Sequence, residues 1–283
     1  MKRAVGAAMM LLAISQPVIA APPQRVMSLK LCTDELLMDL APSSRIASIS
    51  FLSQENAALK LWPQAAHFPV NHNTAEEVLA VHPDLVLTDN FTTPSMRAML
   101  AKSGAKVVEV PDAQTFDQIR AVTRIVGDAV GERPRAEALI ARMDATLRQL
   151  AATAPRQTIR VMSWGGRGFA PGRGSLFDTI LNAAGGHNIT TDSANKAVGG
   201  GYYDMEDMIA AHPDILATGD DYRDTPSLRT DQNDHPLLLK LYAGRRIVYP
   251  SSLYVCGLPQ SADAARTLRG ALQSAMRNPG HLP

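Results

Sequence analysis

One phrase of this chain is written twice, and the duplication limits its architecture more than any other feature. Thr74-Ala75-Glu76-Glu77-Val78-Leu79-Ala80-Val81-His82-Pro83-Asp84-Leu85-Val86 returns as Asp204-Met205-Glu206-Asp207-Met208-Ile209-Ala210-Ala211-His212-Pro213-Asp214-Ile215-Leu216, each position displaced by 130 residues (74 to 204). Val26-Met27-Ser28-Leu29 opens the first half as Val161-Met162-Ser163-Trp164 opens the second, each ahead of an apolar helical stretch. A fixed internal period marks a duplicated structural unit. Two similar α/β lobes with a ligand cleft between them are the expected outcome.

Lys2 and Arg3, the apolar run from Ala4 to Ile14 and the small-residue ending Val18-Ile19-Ala20 have the order of a secretory signal peptide over residues 1–20. Its apolar stretch is shorter than the ~18 residues of a membrane span. No other segment approaches that length, so no stable membrane insertion is expected. Taking 20 residues from 283 leaves 263, and taking Lys2 and Arg3 from 28 basic against 27 acidic residues leaves a formal charge of −1. That balance argues against a nucleic-acid partner. At 46% hydrophobic, the chain has enough apolar residues for two cores of ~100 to 130 residues each. The expectation is a monomer of the periplasm with an N-terminal lobe over 21–115, a helical region over 116–154 and a C-terminal lobe over 155–283. Cys32 and Cys256 are the only cysteines, in a compartment where disulfides persist. Both follow strand-like runs, where cleft loops are expected, and they either form a disulfide or stand as two thiols near a ligand.

In the first lobe, strand-like segments Arg25 to Leu29, Arg45 to Ser50, Asp84 to Thr88 and Lys106 to Val110 alternate with short helices, as in a parallel sheet. Residues 51–73 read as irregular. From Thr115 to Ala152 the pattern is helix alone, broken near Gly131-Glu132-Arg133-Pro134. The piece Pro134 to Ala152 predicts a single stiff helix of about 28 Å joining the lobes. The second lobe repeats the alternation with strands Ile159 to Trp164, Asp214 to Thr218 and Arg246 to Tyr249, and with Gly-rich loops before Gly174 and Tyr203.

Thr74 and Asp204 predict helix N-caps, with Glu77 and Asp207 three residues later as their capping partners. Glu76 and Glu206 are left over. Helical spacing sets them roughly opposite the apolar residues Val78, Leu79 and Val81 in one copy and Met208, Ile209 and Ala211 in the other, hence in water. Duplicated lobes would offer two equivalent carboxylates on one surface, matched to a twofold partner.

With these residues in view, the chain resembles the periplasmic binding proteins of the iron-chelate and cobalamin ABC importers. The resemblance rests on the doubled acid-to-His-Pro-Asp phrase, on strand Arg25 to Leu29 with Cys32-Thr33-Asp34-Glu35-Leu36-Leu37 after it, and on the turn Cys256-Gly257-Leu258-Pro259. It implies two Rossmann-like lobes with parallel sheets joined by one long α-helix. It implies further that Glu76 and Glu206, each seven residues before its proline, dock on arginines of an inner-membrane ABC permease dimer. In cobalamin-type relatives an aromatic at the place of Phe51 stacks on the ligand, and the loop from Trp164 to Phe169 faces it.

Ligands of open parallel sheets sit beyond the carboxyl ends of the strands. The candidate ligand-binding residues are therefore Phe51, His72, Phe91, Trp164, Arg167, Phe169, Tyr202, Tyr203, Tyr222 and Tyr254. Aromatic faces suit a large flat or folded ligand, and arginines suit carboxylate or catecholate oxygens. The expected cargo is a metal chelate of ferric siderophore, cobalamin or haem type. The histidines lack the close pairing of a bare metal site, so neither a resident metal nor a cofactor is expected, though a Zn/Mn-type ion binder is the nearer alternative. An exported hydrolase is the further one. No Gly-x-Ser-x-Gly elbow is present, and the chain is not expected to be an enzyme.

Overall fold

The computed structural model describes residues 21–55, 62–89, 93–165, 168–192, 200–220 and 235–277. In the first lobe, β1 (Val26–Ser28), β2 (Ile46–Ser50), β3 (Val70–Asn71), β4 (Leu85–Thr88) and β5 (Lys106–Glu109) form a parallel sheet in the order β3-β2-β1-β4-β5. Among the described residues, three helices accompany it: α1 (Leu31–Leu40), α2 (Ala75–Val81) and α3 (Pro94–Lys102). Two longer ones follow, α4 (Phe116–Val130) and α5 (Arg133–Ala152). Gly131 in the left-handed region ends α4, and Pro134 sits in the first turn of α5, where its missing N–H costs nothing.

In the second lobe, β6 (Ile159–Ser163), β8 (Gly186–Asn188), β10 (Ile215–Gly219) and β11 (Arg246–Tyr249) form a parallel sheet in the order β11-β10-β6-β8. A separate antiparallel pair, β7 (Phe169–Ala170) with β9 (Gly201–Tyr202), stands apart from it. The helices are α6 (Leu176–Ala184), α7 (Met205–Ala210), α8 (Pro236–Leu241) and α9 (Ser261–Arg277). The duplication is explicit in the topology: β2, β1, β4 and β5 occupy the same relative places as β8, β6, β10 and β11.

The repeated phrase has a structural chemistry of its own. His82 and His212 both turn the chain at φ 47°, stopping their helices. The aspartate two residues on then ties the new strand to its neighbour. Asp84 accepts from the backbone N–H of Gln24 (2.6 Å) and Arg25 (3.0 Å), and Asp214 from that of Arg160 (2.8 Å). Arg25 and Arg160 in turn donate to carbonyls at the ends of the preceding helices, those of Val81 and Ala211. Charge-assisted bonds of this kind are among the stronger hydrogen bonds in proteins.

A single buried apolar cluster runs from Val26, Leu37 and Leu85 through Val126, Ala136 and Met143 to Ile180, Ala217 and Leu268. The two lobes therefore share a core across α4, α5 and α9. Separate outer clusters lie beneath α2 and α3 (Val78, Leu100) and around Met162, Trp164 and Met208. Buried Arg269 of α9 donates to the carbonyls of Leu150, Ala183 and Ala184, and so closes the ends of α5 and α6 together. Among the described residues no helix is long and apolar enough to cross a membrane.

Candidate functional site

At the carboxyl end of β2, Asp34 holds the turn that carries Phe51. Its carboxyl accepts from the Ser50 backbone N–H (2.9 Å) and the Ser53 hydroxyl (2.6 Å), with the Ser28 side chain also bonding it. Burial raises the Asp34 pKa well above the usual carboxylate range against the pull of those bonds. Asn71 donates to the carbonyls of Ser28 and Ile49 and to the Ser48 hydroxyl, pinning the short β3 to its neighbours. The next residue, His72, is thereby placed beside Phe51, and the two rings stack at 5.1 Å with a 20° tilt.

Glu77 fixes His72 from the other side. It accepts from the His72 backbone N–H (2.8 Å), pairs with its Nδ1 (3.0 Å), and takes both the N–H and the hydroxyl of Thr74. Desolvation pushes the Glu77 carboxyl up, but these four bonds together outweigh it and hold the pKa at about 2. The same Thr74–Glu77 exchange is the capping box of α2. In the second lobe Asp204 caps α7 by accepting from the Asp207 N–H at 2.7 Å.

The second lobe builds its own ring pair by a different route. Phe169 and Tyr202 are cross-strand partners in the β7–β9 pair, their centroids 5.5 Å apart at 62°. Gly168 is required here: φ is 73°, and a Cβ at this position would lie 2.0 Å from the Tyr203 carbonyl oxygen. Phe51 is 37%, Phe169 39% and Tyr202 67% exposed. His72 and Tyr202 stand four residues before Glu76 and Glu206 respectively, so each lobe carries an exposed ring pair and, one short step along the chain, an exposed carboxylate at a helix start.

A cavity of about 260 Å³ lies at the strand ends of the first lobe, lined among others by Lys30, Cys32, Leu52 and Asp89 and reached from the second lobe by Val255 and Gly257. Lys30 and Asp89 form an ion pair of 3.4 Å on its wall. Cys32 and Cys256 are joined as a disulfide across the lobes, with Cα atoms 5.2 Å apart. Gly257 packs so tightly on the first lobe that a Cβ there would fall 2.1 Å from the Ala113 carbonyl oxygen. Gln260 donates to Asp39 of α1, and Gln114 bonds the backbone N–H of Leu176 (2.7 Å) and, through its carbonyl, the Thr179 hydroxyl (2.7 Å).

Several expectations are corrected. Trp164 is 3% exposed and packs with Met162, Met208 and Leu216, because residues two apart on a strand share a face, here the outer one. As placed, it offers almost no surface to a ligand. Tyr254 is largely embedded in a cluster with Tyr249 and Phe177, and burial pushes its phenol pKa upward. Tyr203 is half-buried against the outer cluster of the second lobe, its hydroxyl oxygen buried. Leu79 is 49% exposed, whereas Val78 is fully buried, so the apolar face of α2 is narrower than its sequence pattern. Phe91, Arg167 and Tyr222 lie outside the described residues, as does the signal peptide expected over residues 1–20. The strand-end rule missed Val110 to Gln114 after β5, although these were legible by the same rule, and missed Val255 and Gly257, which reach the cavity from the other lobe. Among the described residues no group of three or more His, Cys, Asp or Glu side chains converges as a metal set.

The architecture is two parallel-sheet lobes joined by a long helix, and the comparisons give its family. Residues 28–238 match the family model described as "Periplasmic binding protein", and the chain belongs to that family. It resembles the "Cobalamin-binding protein" of Halobacterium salinarum, 24% identical over 200 residues, which are 70% of this chain and 54% of that one. The chain thus spans about half the length of that relative. The "Uncharacterized ABC transporter substrate-binding lipoprotein YvrC" of Bacillus subtilis is 22% identical over 214 residues, 71% of this chain and 65% of the other. Among solved structures, the periplasmic heme-binding protein RhuT from Roseiflexus sp. RS-1 superposes with a TM-score of 0.73 at 22% identity, covering 89% of this chain and 99% of that one. The periplasmic vitamin B12 binding protein BtuF of Vibrio cholerae gives 0.66 at 18% identity, covering 90% and 99%. At these identities the structural likeness concerns the fold.

Proposed function

We propose that this protein is the periplasmic substrate-binding component of an ABC importer and captures a metal chelate of haem, cobalamin or ferric siderophore type between its lobes. The observation that carries the reading is the pair of exposed ring platforms, Phe51 with His72 and Phe169 with Tyr202, one on each lobe. Exposed aromatic rings on both lobes suit a broad, largely apolar cargo rather than a bare ion. The names of the Halobacterium, Roseiflexus and Vibrio relatives point the same way. Glu76 and Glu206 serve as the docking carboxylates for a twofold permease, steering and orienting the complex more than supplying its affinity. The protein acts as a monomer and binds without chemical turnover. Native mass spectrometry and the visible spectrum of protein isolated from its own periplasm test this, since corrin, porphyrin and ferric catecholate absorb differently. A colourless protein that fails to take up haemin, cyanocobalamin or a ferric catecholate in titration, and carries zinc or manganese instead, would replace this reading with the bare-ion one.

A further inference from the structure

The lobes are tied beside the cavity by a segment of the second lobe, residues 255–260, that reaches onto the first. Cys256 bonds Cys32, Gly257 sits against Ala113, and Gln260 donates to Asp39. The two cysteines are not equally exposed. Cys256 is 2% exposed, inside the shared core, whereas Cys32 is only half-buried and lines the cavity. Val255, beside the bond, is 58% exposed and lines the same space. Thiol–disulfide exchange is governed by access to one of the two sulfurs, with attack along the bond that breaks.

We propose that Cys32 Sγ is a modification site through which a dithiol reductant entering the cleft opens the interlobe disulfide, and that cargo in the cavity blocks it. The thiolate of the dithiol attacks Cys32 Sγ. A new sulfur–sulfur bond forms there, the Cys32–Cys256 bond breaks, and Cys256 leaves with the electron pair as a thiolate. The second thiol of the reductant then attacks its own sulfur in the mixed disulfide, closing a cyclic disulfide and releasing the Cys32 thiolate. The dithiol loses two electrons and two protons, and the protein gains two thiols. An empty protein is thus open to loosening of this tie, while a loaded one keeps it. The blocking of reduction by cargo rests on the proposed function; the route of attack does not.

Two experiments on the oxidised mature chain decide the route. Brief exposure to glutathione, a monothiol, followed by acid quenching and peptide mass analysis is expected to find the mixed disulfide on Cys32; an adduct on Cys256 overturns the proposal. Val255→Trp narrows the entrance at an exposed position, and its reduction by dithiothreitol is expected to slow roughly fivefold or more, as access limits exchange; an unchanged rate overturns the proposal. A third experiment repeats the reduction with cyanocobalamin or the redox-inert gallium protoporphyrin, binding being followed by absorbance. A bound pigment that slows reduction supports the proposal, and one that binds without slowing it overturns the blocking. If neither binds, those two cargo types fail while the adduct position and the Val255→Trp rate still decide the route.

Discussion

Removing the side-chain donors of Arg269 in α9 measures what a buried cation adds to the fold. Its guanidinium, 7% exposed, donates from Nη1 to the Leu150 carbonyl (2.6 Å) and the Thr153 hydroxyl (3.0 Å), from Nε to the Ala184 carbonyl (2.9 Å), and from Nη2 to the Ala183 carbonyl (2.9 Å). Burial without a carboxylate partner lowers its pKa, but the group stays a cation satisfied by backbone oxygens at two negative helix ends. Bonds to a charged donor contribute about 1.5 to 3 kcal/mol each, yet they are not additive and the buried cation carries a desolvation cost. Arg269→Met keeps the stem and strips the donors, leaving three carbonyls to find water. We expect a loss of about 3 to 4 kcal/mol, within the range for breaking a buried charged network. For a chain of this size that lowers Tm by roughly 5 to 8 °C. Urea denaturation with matched circular dichroism and fluorescence transitions measures it. A loss below about 1 kcal/mol would mean that these bonds add little beyond what water supplies, and the reasoning would be refuted.

Three further outcomes are expected. Glu76→Ala combined with Glu206→Ala should leave cargo affinity unchanged and cut uptake by roughly tenfold or more, because charge at a docking rim governs encounter; lost affinity with normal uptake would reject their role. Glu35, raised from 4.5 to about 9 by burial and then by Asp34 and Asp39, keeps a proton in the fold that the unfolded chain sheds. Stability therefore falls as pH rises between those two values, with Asp34 and Asp39, also raised by burial, adding slope of the same sign. Glu35→Gln removes its share, so the variant's urea midpoint should gain on the parent's steadily from about pH 5 to pH 8; a gap that does not change with pH contradicts the assignment. Gly168→Ala should disorder the β7–β9 pair and weaken cargo binding while Tm moves little, read by titration beside calorimetry; unchanged binding would show that the Phe169–Tyr202 platform is not used.

Much of the fold was legible because the duplicated phrase fixes a helix, a stop and a strand in each lobe. The helix break at Gly131 and the position of α5 followed from the turn residues alone. The strands that sequence reading passed over, β3, β7, β8 and β9, are two or three residues long. A two-residue strand has no period to detect, and Gly186-His187-Asn188 and Gly201-Tyr202 carry turn-like residues. The strand-end rule depends only on local order, and it selects Phe51, Phe169 and Tyr202, which the structure leaves exposed. It misplaced Trp164 because which face of a strand a residue occupies depends on what covers the sheet, here α7 with Met208. Val255 and Gly257 escaped it because a segment crossing from one lobe to the other leaves no local mark.

The sulfur bridge joins residues 224 apart in sequence, so the lobes are held together by it as well as by α5 and the core they share. Lobes braced in this way have little room to swing apart. A guest would meet a jaw already set near its final gape, and little of its grip would go into closing it.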